Sequence, residues 1–259
     1  MKIASFNVNS LKMRLGIVCN WLGQHQPDIL MIQEIKGAEI PAQTFHDLGY
    51  HVQSVTQKAY NGVATLTRAQ ASVIHTALPG MVGDDQARFL SVSTAQENGA
   101  PLHVINIYAP NGNPIGTEKY AYKLRWLEAL YHHLADLRRA EHDVVIAGDF
   151  NIIPERLDAA HPDDWRGDAL FQDQVRALYR AILHLGYSDS LRLKYPETPD
   201  LYSFWDYQAG AWARNNGIRI DHVLLSPRLA DRLSDVVIDR TPRGQDKPSD
   251  HTPILVALG

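Results

Sequence analysis

Cysteine is nearly absent from this chain: Cys19 is the only one among 259 residues. A lone cysteine excludes an internal disulfide and fits a reducing compartment. Long apolar runs are missing too, so no segment can cross a bilayer as a helix. The opening stretch, Met1-Lys2-Ile3-Ala4-Ser5-Phe6, enters a strand pattern at once and has no secretory h-region. A cytoplasmic location is expected. Excess charge is small, since 25 basic against 29 acidic residues leaves −4. That balance neither advertises nor excludes a nucleic-acid partner, because phosphate contact needs only a local basic face. No repeat, low-complexity tract or linker divides the chain, and 45% apolar with 21% charged residues is ordinary globular composition. One domain over residues 1–259 is the expectation, with a monomer as the default because no coiled-coil heptads are present.

What is present is a series of apolar strands that end in polar residues. The clearest is Val144-Val145-Ile146-Ala147-Gly148-Asp149-Phe150-Asn151-Ile152-Ile153-Pro154. Its consecutive apolar residues read as a strand buried on both faces, Gly148 lets the backbone turn, and Pro154 closes the stretch. Asp149 and Asn151, two apart on extended backbone, share one side at the strand end. Lys2 to Val8 reads as another strand, with Asn7 and Asn9 on a shared face. Ser10 is then the expected N-cap of a helix carrying Leu11, Leu15, Val18 and Leu22. Ile29 to Ile32 is a further strand, delivering Gln33-Glu34 at its end.

From Tyr50 to Ser93 the pattern changes to short strands, 51–56, 62–67, 72–76 and 89–93, joined by Asn-Gly, Pro-Gly and Gly-Asp turns. Leu102 to Tyr108 is a strand ending in the loop Ala109-Pro110-Asn111-Gly112-Asn113-Pro114. Residues 117–139 read as the longest helix, with Tyr120, Leu124, Leu127, Tyr131 and Leu134 along one stripe. A helix over 170–185, a strand over 218–225 and a last strand, Ile254 to Leu258, follow. Strand, helix, strand, meander recurs in both halves. The expected fold is therefore α/β (α+β): a four-layer αββα sandwich, two mainly antiparallel sheets face to face with helices outside.

Asn7, Asn9, Glu34, Tyr108, Asp149, Asn151, Asp221, Asp250 and His251 all lie at or beside strand ends. Each alone has an ordinary explanation: a turn residue, a solvated carboxylate, a half-buried tyrosine. Together, hard oxygen donors without cysteine suit magnesium or manganese. A carboxylate-held cation beside an Asp–His pair is equipment for phosphodiester hydrolysis.

The segments Ser5-Phe6-Asn7-Val8-Asn9-Ser10-Leu11, Ile32-Gln33-Glu34-Ile35-Lys36, Gly148-Asp149-Phe150-Asn151-Ile152, Arg219-Ile220-Asp221-His222 and Ser249-Asp250-His251-Thr252-Pro253 resemble those of the exonuclease III family. That is the abasic-site endonuclease branch of the endonuclease/exonuclease/phosphatase superfamily. The motifs stand in family order across essentially the whole chain. The resemblance implies a four-layer sandwich and a magnesium-dependent DNA repair nuclease, with manganese able to substitute. Such an enzyme cuts the phosphodiester 5′ to abasic sites in duplex DNA and trims damaged or normal 3′ ends. By the same resemblance Glu34 binds the metal, with Asn9 and Asp250 as nearby or alternative ligands, and Asp149 manages the proton of the attacking water or the leaving group. Asn7 and Asn151 orient water and phosphate, while His251, held by Asp221, and Tyr108 contact phosphate oxygens. Phe204 and Trp205, with Ile218 opposite, resemble a pocket for an extrahelical baseless sugar, and Trp212, Arg214 and Asn215 a loop that enters the minor groove. Asn111 could face the ligand, and Lys36, Lys58, Arg88, Lys119 and Lys123 are candidate backbone contacts. The rival readings are an exonuclease without abasic-site incision, a phosphoesterase acting on small molecules, and a DNA-binding module that has lost catalysis. Asn9 stands where some members carry Asp, which puts the second metal ligand in doubt.

Overall fold

The computed structural model describes residues 1–96 and 98–259. β1 (Lys2–Asn7), α1 (Leu11–His25) and β2 (Ile29–Gln33) open the chain. α2 (Ala42–Asp47), β3 (His51–Val55) and β4 (Val63–Thr67) follow, then the meander β5 (Ala71–His75), β6 (Phe89–Ala95) and β7 (Pro101–Tyr108). α3 (Glu118–Arg139) leads into β8 (Val144–Asp149), and α4 (Asp173–His184), β9 (Ser188–Asp189) and α5 (Ser190–Lys194) lie beyond it. β10 (Asp221–Leu225), α6 (Pro227–Ala230), β11 (Leu233–Ile238) and β12 (Ile254–Leu258) complete the order.

These strands form two six-stranded sheets, ordered β11-β12-β1-β2-β4-β3 and β5-β6-β7-β8-β10-β9. In each sheet the central pair is parallel, β1 with β2 and β7 with β8, while every other pairing is antiparallel. The two parallel pairs are joined by the longest helices, α1 and α3, because parallel neighbours need a crossover. The four-layer expectation holds.

Alternation along the strands assigns the layers. Ile3, Ile29 and Met31 of one sheet meet Val104, Val145, Ala147 and Val223 of the other in the central core. Ala4, Phe6, Leu30 and Ile32 face outward onto Val18, Trp21 and Leu22 of α1. Ile105, Ile107, Val144 and Ile146 face the other way, onto Trp126, Leu127 and Leu130 of α3. Along the inner face the side chains become polar toward one end of the sandwich. There Gln33 donates to Asn106 (2.7 Å), and Asn106 donates to the carbonyls of Ile32 and Ala64 (3.2 and 2.8 Å). Asn7, Tyr108, Asp149 and Asp221 continue the same inner rows to the rim.

Several local expectations are corrected. Ser10 precedes α1 but makes no side-chain capping bond, because its backbone sits at φ 91°. The buried stripe of α3 is Lys123, Trp126, Leu127, Leu130 and Leu134, whereas Tyr120, Leu124 and Tyr131 flank it. The strand expected over 218–225 begins only at Asp221. Upstream, the backbone is bonded to loops instead: Ile218 to Phe204, and Arg219 to the carbonyl of Asp158. β11 and α2 went unforeseen. Within the described residues, no helix is long and apolar enough to cross a membrane.

Candidate active site

The chain turns sharply at the polar end of the sandwich, and the turning residues carry site side chains. Asn9, Glu34 and Asn151 have φ of 43°, 55° and 51°, left-handed values that asparagine tolerates and glutamate adopts at a cost. Gly148 must be glycine, because a Cβ there would lie 1.9 Å from the carbonyl oxygen of Ile107 on the adjacent strand. The close β7–β8 pairing that results sets Tyr108 beside Asp149.

At the centre, the Asn7 amide donates to Glu34 Oε1 (2.9 Å) and to Asp149 Oδ2 (3.0 Å), joining carboxylates delivered by different sheets. Asp149 Oδ1 accepts from the backbone N–H of Asn151 (2.8 Å). The Asn151 amide donates to the carbonyl of Ala109, and its oxygen accepts from Asn111 (3.2 Å). On the opposite side His251 Nδ1 meets Asp221 Oδ2 at 2.7 Å, which Ser203 also holds at 2.7 Å. That leaves His251 Nε2 facing Asp149 Oδ2 at 3.8 Å.

These groups set one another's protonation. Burial pushes Asp149 up to about 7, and the nearby Asp221 and Glu34 carboxylates add to it while His251 opposes them. Burial alone would pull His251 down, but Asp221 and then Asp149 outweigh it and raise the imidazole to about 10. At neutral pH it is an imidazolium. Glu34 is raised by burial yet ends below the usual carboxylate range, because Lys36 ion-pairs with Oε2 at 2.6 Å. Burial, then Glu34 and Asp149, drive the Tyr108 hydroxyl well above its ordinary value, so it remains a donor.

Glu34, Asp149 and His251 place ligand-type atoms within 4.8 Å of one another. His251, as an imidazolium bonded through Nδ1, offers no lone pair, which leaves the two carboxylates as the groups that could hold a cation. Hard oxygens suit a hard divalent ion. Asp250 lines the same pocket but accepts from the Asn9 amide (3.0 Å), and the Asn9 oxygen accepts from Lys36. Asn9 and Asp250 are thus paired at the rim, next to the carboxylates rather than among them.

Other expected residues are spread around this centre. Phe204 and Ile218 line the catalytic pocket, together with Ile220, Trp165, Leu170 and Asp168. Trp205 does not: it is fully buried beneath the loop, edge-on to Trp212 at 4.8 Å between ring centres, with Arg240 lying over both indoles. It supports the loop from below and is corrected as a pocket wall. Trp212 is half-buried and Arg214 exposed, and Asn215 accepts from Trp205 Nε1 (3.2 Å). Lys119 is exposed and shares a cleft of 370 Å³ with Arg88, Asn111 and Tyr122.

Lys123 is also corrected. It is wholly buried, and its ammonium donates to the carbonyls of Asn111 (2.9 Å) and Asn151 (2.6 Å), out of reach of any DNA backbone. It ties together the two loops that carry those asparagines. The sequence reading missed Trp165 and Asp168, which lie in the polar connection after β8. The Asn113 amide donates to both Asp168 oxygens (3.0 Å each), fastening one site loop to the other. A tryptophan amid aspartates in a polar stretch was the available signal.

The sequence pattern of the endonuclease/exonuclease/phosphatase family matches residues 4–251. Exodeoxyribonuclease III of Haemophilus influenzae is 36% identical, over 98% of each chain. Among solved structures, an AP endonuclease from Archaeoglobus fulgidus superposes with a TM-score of 0.93 at 39% identity, over 100% of this chain and 99% of that one. A 3′ phosphatase from Neisseria, bound to a product DNA hairpin, gives 0.94 at 36%, with the same coverage. Matched along the sequence, the fold and the order of the site motifs, this chain belongs to the endonuclease/exonuclease/phosphatase family, in the branch that holds exodeoxyribonuclease III.

Proposed function

We propose that the protein is a magnesium-dependent DNA repair nuclease, with manganese able to substitute. It hydrolyses the phosphodiester 5′ to abasic sites in duplex DNA and also processes 3′ ends. The observation that carries the reading is the Asn7 amide bonded to Glu34 and Asp149 at once, with the Asp221-held His251 facing the same carboxylate. A protein that only binds DNA gains nothing from confining carboxylates that repel one another.

The divalent ion, held by Glu34 with Asp149 beside it and Asp250 and Asn9 at the rim, would neutralise phosphate charge as it develops. The protein's own groups do the rest. Asp149 takes a proton from the attacking water. His251 presents its Nε2–H to a phosphate oxygen, and Asp221 keeps the ring oriented and charged. Tyr108 gives a second donor from the opposite wall. Asn7 and Asn151 fix Asp149 from both sides, so little reorganisation is needed as charge moves. Phe204 and Ile218 form an apolar wall for the baseless sugar, which costs least to extrude because no base is stacked. Trp212, Arg214, Asn111 and Lys119 contact the duplex. The chain works as one domain and as a monomer.

The test is a labelled duplex with one abasic-site analogue, incubated with magnesium or with chelator. Magnesium-dependent incision 5′ to the lesion is expected. Asp149→Asn should cost at least about 10³-fold in kcat, since it removes the base while preserving shape. Absence of cleavage in magnesium would overturn the proposal.

A further inference from the structure

Arg14 stands at the end of the first turn of α1, where a cation opposes the helix dipole and no acidic residue offsets it. A residue kept against its local preference is kept for contacts made elsewhere. Helix side chains lean toward the N-terminus, and the half-buried Arg14 reaches back over the turn that joins β1 to α1. One arm of its guanidinium donates to the carbonyl of Asn9 at 2.7 Å. The other donates to the Tyr207 hydroxyl at 3.0 Å and to the carbonyl of Pro248 at 2.9 Å. Tyr207 in turn donates to the same Pro248 carbonyl (2.9 Å) and accepts from the Asn9 side-chain amide (3.3 Å). The planar fork thus joins three segments that lie far apart in the chain.

What the fork holds is a strained turn. Asn9 and Ser10 both have positive φ, 43° and 91°, in succession and without glycine. The N–H groups of Val8, Ser10 and Leu11 bond to the carbonyls of Gln33, Glu34 and Ile35, which fixes that side of the turn to the end of β2. The Asn9 N–H goes elsewhere, to Asn7 Oδ1 at 3.0 Å. That bond orients the Asn7 side chain: with its oxygen occupied, its NH2 group is left for Glu34 and Asp149. Arg14, by holding the Asn9 carbonyl, keeps Asn9 in the left-handed region and its N–H on Asn7.

We propose that Arg14 is a positioning residue for phosphodiester hydrolysis: its guanidinium fixes the Asn9 turn, and through that turn the Asn7 amide that spans Glu34 and Asp149. Pro248 and Tyr207 hold the guanidinium in place, and Asn9 is what it holds. The proposal rests on the nuclease reading above and adds to it a residue that does not line the catalytic pocket. A displacement of about 1 Å at a reacting group costs about 10²-fold in rate. Because one amide serves both carboxylates, a turn that lets Asn7 rotate misplaces them together.

Two measurements test this in the full chain. The first is amide hydrogen exchange by NMR in chelator. Arg14→Met, which keeps an aliphatic stem, should speed exchange of the Asn9 amide by at least about tenfold and leave the amides of β1 at their wild-type rates. The second is incision of the abasic-site duplex in magnesium, expressed per folded molecule from circular dichroism. Arg14→Met should lower kcat by about 10²-fold with KM within about threefold. In an Asn7→Ala background the same substitution should cost less than about twofold, because its effect passes through Asn7. A merely structural role would speed exchange throughout β1, or would multiply the losses of the two substitutions; either result overturns the proposal. So does an unchanged kcat, or an unchanged Asn9 exchange rate, in Arg14→Met. Should Asn7→Ala not fold, the exchange rates and the split between kcat and KM still decide. Failure of the wild-type protein to cut the duplex would instead bring down the nuclease reading, while the Asn9 exchange rate would still report whether the turn depends on Arg14.

Discussion

His222 shows how a single side chain can be fixed as neutral. Its Nε2 donates to the carbonyl of Ile152 (3.0 Å), and its Nδ1 accepts from Arg219 (2.9 Å). The ring is fully buried, and burial, then the Arg219 charge, lower its pKa to about 4. Arg219 itself is saturated by Asp158 and Asp189, at 2.7 Å each. Because the folded pKa lies below the unfolded value of about 6.5, the unfolded chain binds the extra proton first. This contribution to stability is complete above about pH 6.5 and lost as pH falls toward about 4. Between about pH 7 and pH 5 it should lower the unfolding free energy by about 2 kcal/mol. Urea unfolding of wild type and His222→Gln at both pH values measures it, since the variant should lack that part of the decline. A parallel decline in both proteins would locate the pH sensitivity elsewhere. None of this was legible in the sequence. Arg219-Ile220-Asp221-His222 read as a site motif, but in the structure Asp221 reaches the site, while Arg219 and His222 turn away into the scaffold.

At the scale of elements, alternation explains both what the sequence showed and what it hid. β2 and β8 are buried along their whole length, so their unbroken apolar runs were clear and the polar residues at their ends stood out. β11 was hidden because it is an edge strand with only Val236 buried, which leaves no alternation to find. The stripe of α3 was misjudged because its buried face includes Lys123, a residue that hydrophobic periodicity cannot count as internal. The convergence of Asn7 with Asp149 was also beyond periodicity. It depends on the facing of two sheets across 142 residues of chain, and only the family resemblance brought those residues together beforehand. Between the apolar core and the site, the inner rows pass through Ser5, Gln33 and Asn106, all fully buried. Asn106, on β7, bonds across to β2 and β4, fixing how one sheet slides on the other. Asn106→Ala should cost about 3 kcal/mol, since it opens a small void and strands the Gln33 amide, whose remaining acceptor, Ser5 Oγ, lies at 3.2 Å. Denaturant titration gives the stability. A companion loss of abasic-site incision larger than the unfolded fraction explains would show that sheet register positions Asp149 against Glu34.

For the whole molecule, the site is the place where the two sheets are joined by charge. Glu34 follows β2 in one sheet, and Asp149 ends β8 in the other. When both are ionised, the two carboxylates held by one amide repel each other, and Glu34 is among the causes that raise Asp149. A divalent cation held at this site would relieve that repulsion, and would bind only where folding has brought the two carboxylates together. Magnesium should therefore stabilise the fold, not merely switch on chemistry. At about one hundred times its dissociation constant, a ligand bound only by the native state adds about 2.7 kcal/mol. For a chain of this size that raises the unfolding midpoint by roughly 5–10 °C. Thermal unfolding across a magnesium titration should show a saturating rise, reversed by chelator. Glu34→Gln should abolish the rise while still folding, because the amide keeps the shape and loses the charge that would hold the cation. An undiminished magnesium shift in Glu34→Gln would place the stabilising ion away from the sheet junction and break the link drawn here between the cation and the joining of the two halves.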